Sequence, residues 1–327
     1  MLFTVAIPLY NKGGYIETTI RSVLNQTFSD FEVVVVDDGS KDGGAAAVME
    51  INDPRVRLVV QQNAGVSVAR NRAIAEARGR WVAFLDADDW WHPDYLAEQQ
   101  RSIGQHPDAL VVTTAFLTKR DSADWLPRPW PVPAGDLERR LLTELPHYFK
   151  KDVPFFTGSV AVQTALLRTL QPCFMPGETL GEDIELWFRL GELGAIVHLN
   201  FPLVAYRDAA GESLSSLHRF DDLPSYVSRL KTRALSGALD RQQADAVFSL
   251  VAFQQITLAR KSLVNGRRLK ALRWLSRAGA RSLLEKRWWL TFSMAVLVPR
   301  TAILKWNALR WRRAVVRKNK GISQPGS

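Results

Sequence analysis

The run Phe84-Leu-Asp-Ala-Asp-Asp-Trp-Trp91 ends an apolar stretch in three carboxylates within four positions. Like charges so spaced repel and raise one another's pKa unless a cation sits among them. Carboxylate oxygens with open coordination positions suit Mg²⁺ or Mn²⁺ carrying a diphosphate. Taken alone, such a D-x-D is equally a solvated acidic turn ahead of the next helix. A second apolar run, Phe31-Glu-Val-Val-Val-Val-Asp-Asp-Gly-Ser40, ends in Asp37, Asp38 and a glycine turn. A carboxylate there can accept hydrogen bonds from a base or ribose, although Asp and Gly also serve plain strand-to-turn transitions. Asn63-Ala-Gly-Val-Ser-Val-Ala-Arg-Asn71 places Gly65 before a helix whose first turns hold Arg70. That arginine is either a phosphate or nucleotide contact or an exposed helix cation. Gly181-Glu-Asp183 puts two more carboxylates at a helix start, where the dipole also favours them.

These residues need a scaffold that brings strand ends together. Short β-branched runs alternate with helical patterns over the first hundred residues, the signature of βαβ units and a mainly parallel sheet. The expected strands are Phe3–Pro8, Phe31–Val36, Val56–Gln61, Trp81–Leu85 and Ala109–Phe116, with helices around Ile16 to Leu24 and from Ser67 to Ala77. Carboxylates at the carboxyl ends of parallel strands occupy the usual ligand crevice of an open α/β sheet. Four prolines make Trp125 to Pro133 a loop that frames a site. A helix opens near Glu182, with Gly194 as its C-cap, and the chain is mostly helical from about Leu223.

At 327 residues the chain can bury a substantial core, and Cys173, its single cysteine, excludes an intrachain disulfide and cysteine-rich metal sites. A cytosolic setting is expected. The start MLFTVAIPLYN lacks a basic n-region and meets Pro8 early, so it is expected to be a buried strand. The net charge of +10 is unevenly held. Residues 1–228 carry 21 Lys+Arg and 30 Asp+Glu, net −9, whereas residues 229–327 carry 22 against 3, net +19. The basic part also contains Trp274, Trp288, Trp289, Trp306 and Trp311. Trp288 to Pro299 is uncharged over twelve residues, shorter than the ~20 a spanning helix needs, which points to an in-plane helix at an anionic membrane surface. A basic helical hairpin packed on the rest of the protein is the alternative, and no recognised nucleic-acid module is present.

The ordered series Val5-Ala-Ile-Pro-Leu-Tyr-Asn11, Ser22-Val-Leu-Asn-Gln-Thr27, Val35-Val-Asp-Asp-Gly-Ser40, Asn63 to Asn71, Leu85-Asp-Ala-Asp-Asp-Trp90 and Gly181-Glu-Asp183 resembles the family 2 glycosyltransferases over roughly residues 3–210. The resemblance implies a GT-A fold, an α/β Rossmann-like mainly parallel sheet flanked by helices, followed here by a basic, mostly helical C-terminal region. It implies a catalytic domain over 1–222, with a nucleotide-sugar half at 1–116 and an acceptor half at 117–222. A possible membrane-interface region would follow at 223–320 and a disordered end at 321–327. Carried over residue by residue, Pro8 and Tyr10 would cradle the nucleotide base, Asp38 would contact it, and Arg70 would lie near base and phosphates. Asp86 would approach the ribose and metal, Asp88 would ligate a divalent cation (Mn or Mg), and Asp183 would be the catalytic base, with Glu182 its rival. Asp89 would stand behind them.

The implied activity is inverting transfer of a sugar from a nucleotide-diphosphate sugar, UDP-sugar favoured, to a hydroxyl of a glycan acceptor. That acceptor would be lipid-linked, in surface-polysaccharide assembly at the inner face of the cell membrane. Thr157-Gly-Ser159 and Trp187 are candidates to line the acceptor site, with Trp187 equally an ordinary core residue, and Tyr206-Arg207 with Ser213 to His218 resemble a segment that closes over the diphosphate. The histidine usual after Tyr-Arg is missing. A sugar nucleotidyltransferase would need a glycine-rich phosphate loop that Pro8 to Gly14 does not supply. A dinucleotide oxidoreductase would need G-x-G-x-x-G. A noncatalytic membrane scaffold of the same fold is the other alternative.

Overall fold

The computed structural model describes residues 1–120, 129–150, 153–178, 180–208, 221–306 and 308–309. Strands β1 (Phe3–Leu9), β2 (Phe31–Asp37), β3 (Val56–Val60) and β4 (Trp81–Phe84) run parallel in the order β3-β2-β1-β4. All seven residues of β2 are buried, so it reads as a continuous apolar run with both faces covered, as parallel sheets require. Helices α1 (Gly13–Leu24), α2 (Gly44–Met49) and α3 (Val66–Glu76) connect these strands. α1 turns Ile16, Ile20 and Val23 into the core at helical spacing.

Past β4 the sheet becomes mixed. β5 (Trp90–Trp91), β6 (Val111–Arg120), β7 (Arg139–Leu142), β8 (Val160–Gln163) and β9 (Ile196–Asp208) complete a nine-stranded sheet among the described residues. Its order is β3-β2-β1-β4-β8-β6-β9-β5, with β7 also on β9. β8 is antiparallel to both β4 and β6, while β6 and β9 run parallel. The remaining elements of this part are α4 (Tyr95–Gln105), α5 (Leu145–Tyr148), a 3₁₀ turn Thr157–Ser159, α6 (Thr164–Thr169) and α7 (Glu182–Leu193), which ends at Gly194.

Expected and observed strands agree closely up to β4, and β2 runs one residue further, into Asp37. β9 had no clear sequence signal because Asn200 and Pro202 interrupt it. The structure accommodates Pro202 where the β6–β9 register slips around Ala115, the kind of irregularity that tolerates a residue without an N–H. β5 was also unforeseen, since two residues carry no periodicity.

Contacts divide the chain into two compact units, Met1–Arg219 and Phe220–Ser327. The second contains α8 (Ser225–Leu235), α9 (Arg241–Val264), α10 (Arg268–Arg277) and α11 (Lys286–Val296). Asp240 starts α9 with a reciprocal cap: it accepts the Gln243 N–H at 2.8 Å, and the Gln243 side chain accepts the Asp240 N–H at 3.3 Å. Ile256, Ala259, Leu263, Trp274, Leu275 and Met294 form this unit's own core. No helix among the described residues is long and apolar enough to cross a membrane.

His198 on β9 lies inside the first unit, 1% exposed, with Nδ1 2.9 Å from Thr113 Oγ1. Burial, reinforced by the charge of Arg140, lowers its pKa from 6.5 to about 4. The unfolded chain therefore takes up a proton that the folded chain refuses. The resulting stability is complete above the unfolded pKa and is lost as pH falls towards 4, by up to about 3 kcal/mol. Urea unfolding of His198→Gln across this window is expected to show a shallower loss of stability with acid than the wild-type protein.

Candidate active site

The carboxyl ends of β1, β2 and β4 hold most of the candidate site residues. Pro8 lies at the end of β1, and Tyr10 just beyond it is 48% exposed. Asn11 adopts a positive φ of 51°, and its side chain accepts the Lys41 N–H at 2.9 Å while its own N–H donates to Ser40 Oγ. The first two strand ends are thus tied to each other, leaving the Tyr10 ring at an open edge. Asp38 is buried, and its carboxylate holds the loop before α3. Oδ1 accepts from Gln61 Nε2 at 2.7 Å and from the Ala64 N–H at 2.9 Å, and Oδ2 accepts the Gly65 N–H at 2.8 Å. Gly65 can serve here because its φ is 93°. Asp38 therefore shapes the rim, and Oδ2, which accepts one hydrogen bond among the described residues, retains acceptor capacity.

Arg70 is the hub. Only 5% exposed, it projects from α3 and donates through Nη2 to Asp86 Oδ1 at 2.7 Å and through Nη1 to Glu182 Oε1 at 2.9 Å. Burial alone would lower its pKa, but Asp86, Glu182 and Asp183 together hold it above its ordinary value. Glu182 is raised, by burial first and the neighbouring Asp183 second, against the pull of Arg70. Asp183 differs from Glu182 in access: it is half-buried, its Oδ2 accepts from Thr157 Oγ1 at 2.7 Å, and its Oδ1 accepts the Ile184 N–H at 2.7 Å. α3 is docked to the segment before α7 by Asn71, which bonds both backbone groups of Phe174, and by Ser67, which donates to the Glu178 carbonyl.

The acidic turn after β4 is held from three sides. Thr19 of α1 donates to the carbonyls of Ala87 and Asp89 at 3.0 and 2.9 Å. The Arg207 N–H of β9 donates to Asp89 Oδ1 at 2.9 Å, and the Arg207 guanidinium lies 3.3 Å from the Tyr15 ring centroid. Gly158 packs so closely that a Cβ there would stand 2.7 Å from the Phe156 ring and 3.3 Å from Asp89 Oδ2. Asp89 is 2% exposed, and burial, followed by the charges of Asp88 and Asp86, pushes its carboxyl well above the usual range. Its Oδ2 has no hydrogen-bond partner. Asp88 is paired with Lys12 Nζ at the start of α1.

This donor set fits a divalent cation held in the manner of Mg²⁺ at phosphate sites. Among the described residues no three carboxylate, imidazole or thiolate groups converge to cage an ion. An ion shared between one or two carboxylates and a ligand's phosphates needs no such cage. Asp88, partly exposed and paired with Lys12, offers such a carboxylate.

The structure gathers Asp86, Arg70, Glu182 and Asp183 into one network and places Asp88 and Asp89 beside it. Of the two readings of Trp187 it selects ordinary core over acceptor surface, since the ring lies 1% exposed against Phe84, Phe155 and Phe174. Lys12 was not anticipated as a site residue. Its only sequence signal is a cation two positions after Tyr10 in the same strand-end loop. Ser213 to His218, the 125–128 part of the proline-rich loop and residues 310–327 lie outside the described residues. Further along that loop, Trp130 packs against Trp90 and His92 and donates to the Pro202 carbonyl.

Among known proteins, residues 4–167 match the model of Glycosyl transferase family 2. The chain is 47% identical over 92 residues to YibD, an uncharacterized glycosyltransferase of Escherichia coli (strain K12), covering 28% of this chain and 27% of that protein. Against chondroitin synthase of Escherichia coli it is 28% identical over 204 residues, 61% of this chain and 28% of the synthase. The matched stretches span between 16% and 49% of the curated relatives' length. Among solved structures, S. aureus TarS 1-349 in complex with UDP-GlcNAc superposes with a TM-score of 0.63 at 23% identity, over 93% of this chain and 84% of that one, a likeness of fold.

Removing Arg70 would strand two carboxylates, one of them buried. Arg70→Met is expected to cost about 3–5 kcal/mol in chemical unfolding, the usual penalty for breaking a buried ion pair from one side. Adding Glu182→Leu is expected to recover a large part of it; an additive loss instead would show that the bridge is not the source.

Proposed function

Because the chain belongs to Glycosyl transferase family 2, we propose that it moves a sugar from a nucleotide-diphosphate donor, a UDP-sugar in first preference, to a hydroxyl of a glycan acceptor. The observation that carries this reading is the turn Thr157-Gly158. Its threonine holds Asp183 and its glycine abuts Asp89, so one short turn ties a candidate base to the acidic strand end.

In the proposed reaction the acceptor oxygen forms a bond to the anomeric carbon as the bond from that carbon to the diphosphate oxygen breaks. The leaving diphosphate keeps the electron pair. Displacement in line inverts the anomeric centre. Asp183 takes the acceptor proton, since a sugar hydroxyl is a weak nucleophile and a positioned carboxylate accelerates such a step by 10²–10⁴, as an order of magnitude. Thr157 and the Ile184 N–H fix the orientation of that carboxylate. Glu182, committed to Arg70 and more buried, is the weaker candidate. Tyr10 and Asp38 would receive the base, and Asp86, held by Arg70 at 2.7 Å, would receive the ribose. A divalent ion held by Asp88 would supply charge neutralisation at the departing diphosphate. Lys12, released from Asp88, would then be free to meet the phosphates.

We place the acceptor, a lipid-linked glycan of surface-polysaccharide assembly, at the inner face of the cell membrane. The support is the second unit: Trp289, Leu290, Phe292, Val296 and Leu297 on and just after α11 are exposed, within a region of net charge +19. Exposed aromatic and aliphatic side chains among cations suit an anionic bilayer surface.

Calorimetric titration of UDP with Mn²⁺, followed by a transfer assay, tests the site. Asp183→Asn is expected to lose at least a hundredfold in turnover with donor affinity nearly intact, and Asp88→Asn to weaken the Mn²⁺-dependent part of nucleotide binding. Near-normal turnover in Asp183→Asn would move the base to Glu182 or elsewhere. Separately, Trp289→Glu/Leu297→Glu is expected to abolish co-sedimentation with phosphatidylglycerol vesicles while leaving UDP binding unchanged; retained co-sedimentation would remove α11 from the membrane reading.

A further inference from the structure

At the opposite, amino-terminal end of β4 the first unit contains a cavity of about 480 Å³. Arg78, Arg80 and Arg168 line it together with Gln163, Ile103 and Pro107, and no carboxylate is among the lining residues. Several other arginines in this acidic part of the chain are matched to acids: Arg21 to Glu17, Arg55 to Asp53, Arg57 to Glu76, Arg72 to Glu76 and Arg139 to Glu98. The three cavity arginines form no ion pair with a carboxylate among the described residues. All three are exposed along one open cavity, and cations that share a surface cavity without a counter-charge favour an anion there.

The backbone that presents them is fixed. The N–H groups of Arg78 and Gly79 donate to Thr4 Oγ1 at 3.1 and 2.8 Å, and the Arg78 N–H also reaches Glu32 Oε1 at 2.8 Å. Gly79 has no room for a side chain, because a Cβ would stand 2.5 Å from the Phe3 backbone. Thr164 Oγ1 donates to the Gly79 carbonyl at 2.7 Å, and the Thr164 N–H donates to the Arg80 carbonyl at 2.9 Å. Arg168 is braced by a bond from Nη2 to the Ala77 carbonyl at 2.6 Å. These bonds explain why the chain turns here from α3 into β4. They give no reason for an arginine on each side of Gly79.

We propose that this cavity binds the phosphoryl or diphosphoryl group of a small soluble phosphorylated molecule, with Arg78, Arg80 and Arg168 as its anion-binding groups and Ile103 and Pro107 against its organic part. Guanidinium forks match phosphate oxygens two at a time, and three of them suit a group of charge −2 or more. The site is separate from the crevice already described. Trp81 lies in its wall and Asp86 five residues further along, about 15 Å at strand rise. Its occupancy does not depend on the transfer reaction proposed above.

The test uses the full chain in EDTA, titrated calorimetrically with inorganic pyrophosphate at low millimolar concentration. Arg78→Gln/Arg80→Gln is the chosen variant because neither side chain hydrogen-bonds among the described residues, so the fold is expected to persist, as a matching melting temperature would verify. Expected are a tenfold or greater loss of pyrophosphate affinity in this double variant and an unchanged affinity at this site in Asp88→Asn. Equal affinity in wild type and double variant, or no binding to either, overturns the proposal. So does retention of the wild type, but not the double variant, on phosphatidylglycerol vesicles without any pyrophosphate binding, since the ligand would then be a lipid headgroup rather than a soluble molecule.

Discussion

Arg70 is one side chain answering to two carboxylates that belong to different parts of the sequence. It projects from α3 and meets Asp86 just after β4 and Glu182 at the start of α7. A guanidinium so deeply buried is costly without partners, and the carboxylates would be costly without it. The three therefore choose one arrangement. That arrangement sets α7 against the parallel sheet and with it the position of Asp183. Asn71 and Ser67 secure the same junction through backbone groups, so the bridge is supported by bonds that carry no charge.

The acidic turn after β4 shows a second kind of control. Its carboxylates are handled unequally: Asp86 is neutralised by Arg70, Asp88 by Lys12, and Asp89 is sequestered with one oxygen on the Arg207 N–H and the other without a partner. Burial and two neighbouring negative charges favour the protonated form of Asp89. Unequal treatment turns a repelling cluster into a graded one, in which Asp88 is the partly exposed member and is paired with a lysine. Trp91 anchors the far end of this turn, its ring 4.0 Å from that of Tyr95 and its Nε1 on the Gly158 carbonyl at 2.7 Å. The acidic turn and the Thr157–Ser159 turn are consequently positioned together.

The two units solve different problems with different compositions. The first buries a continuous sheet and holds an excess of acid near its strand ends, while the second is built from helices around Ile256, Trp274 and Met294 and holds most of the excess base. The charge asymmetry lies in the chain itself and is independent of packing, which is why it was visible before any fold was considered.

Much of the candidate site was legible because local pattern carried it. An apolar run of strand length that stops at a carboxylate marks both the element and the end at which ligands collect, so Asp37, Asp38, Asp86 and Asp88 could be placed from spacing alone. The helix start at Gly181 and its stop at Gly194 were equally local. Partnerships were not. Lys12 and Asp88 are 76 residues apart, and Arg70 and Glu182 are 112. No periodicity encodes which cation meets which acid, because that choice depends on how the sheet registers β4 against β1 and where α7 packs. Trp187 illustrates the same limit: an aromatic on a helix suits a sugar surface or a core, and only the rings of Phe84, Phe155 and Phe174 around it decided for the core. The sequence by itself determined the element types, the acidic strand ends and the division of charge, since each depends on neighbours along the chain. Tertiary structure decided which carboxylates are buried, paired or accessible, since burial and pairing arise only when distant segments exclude water from one another.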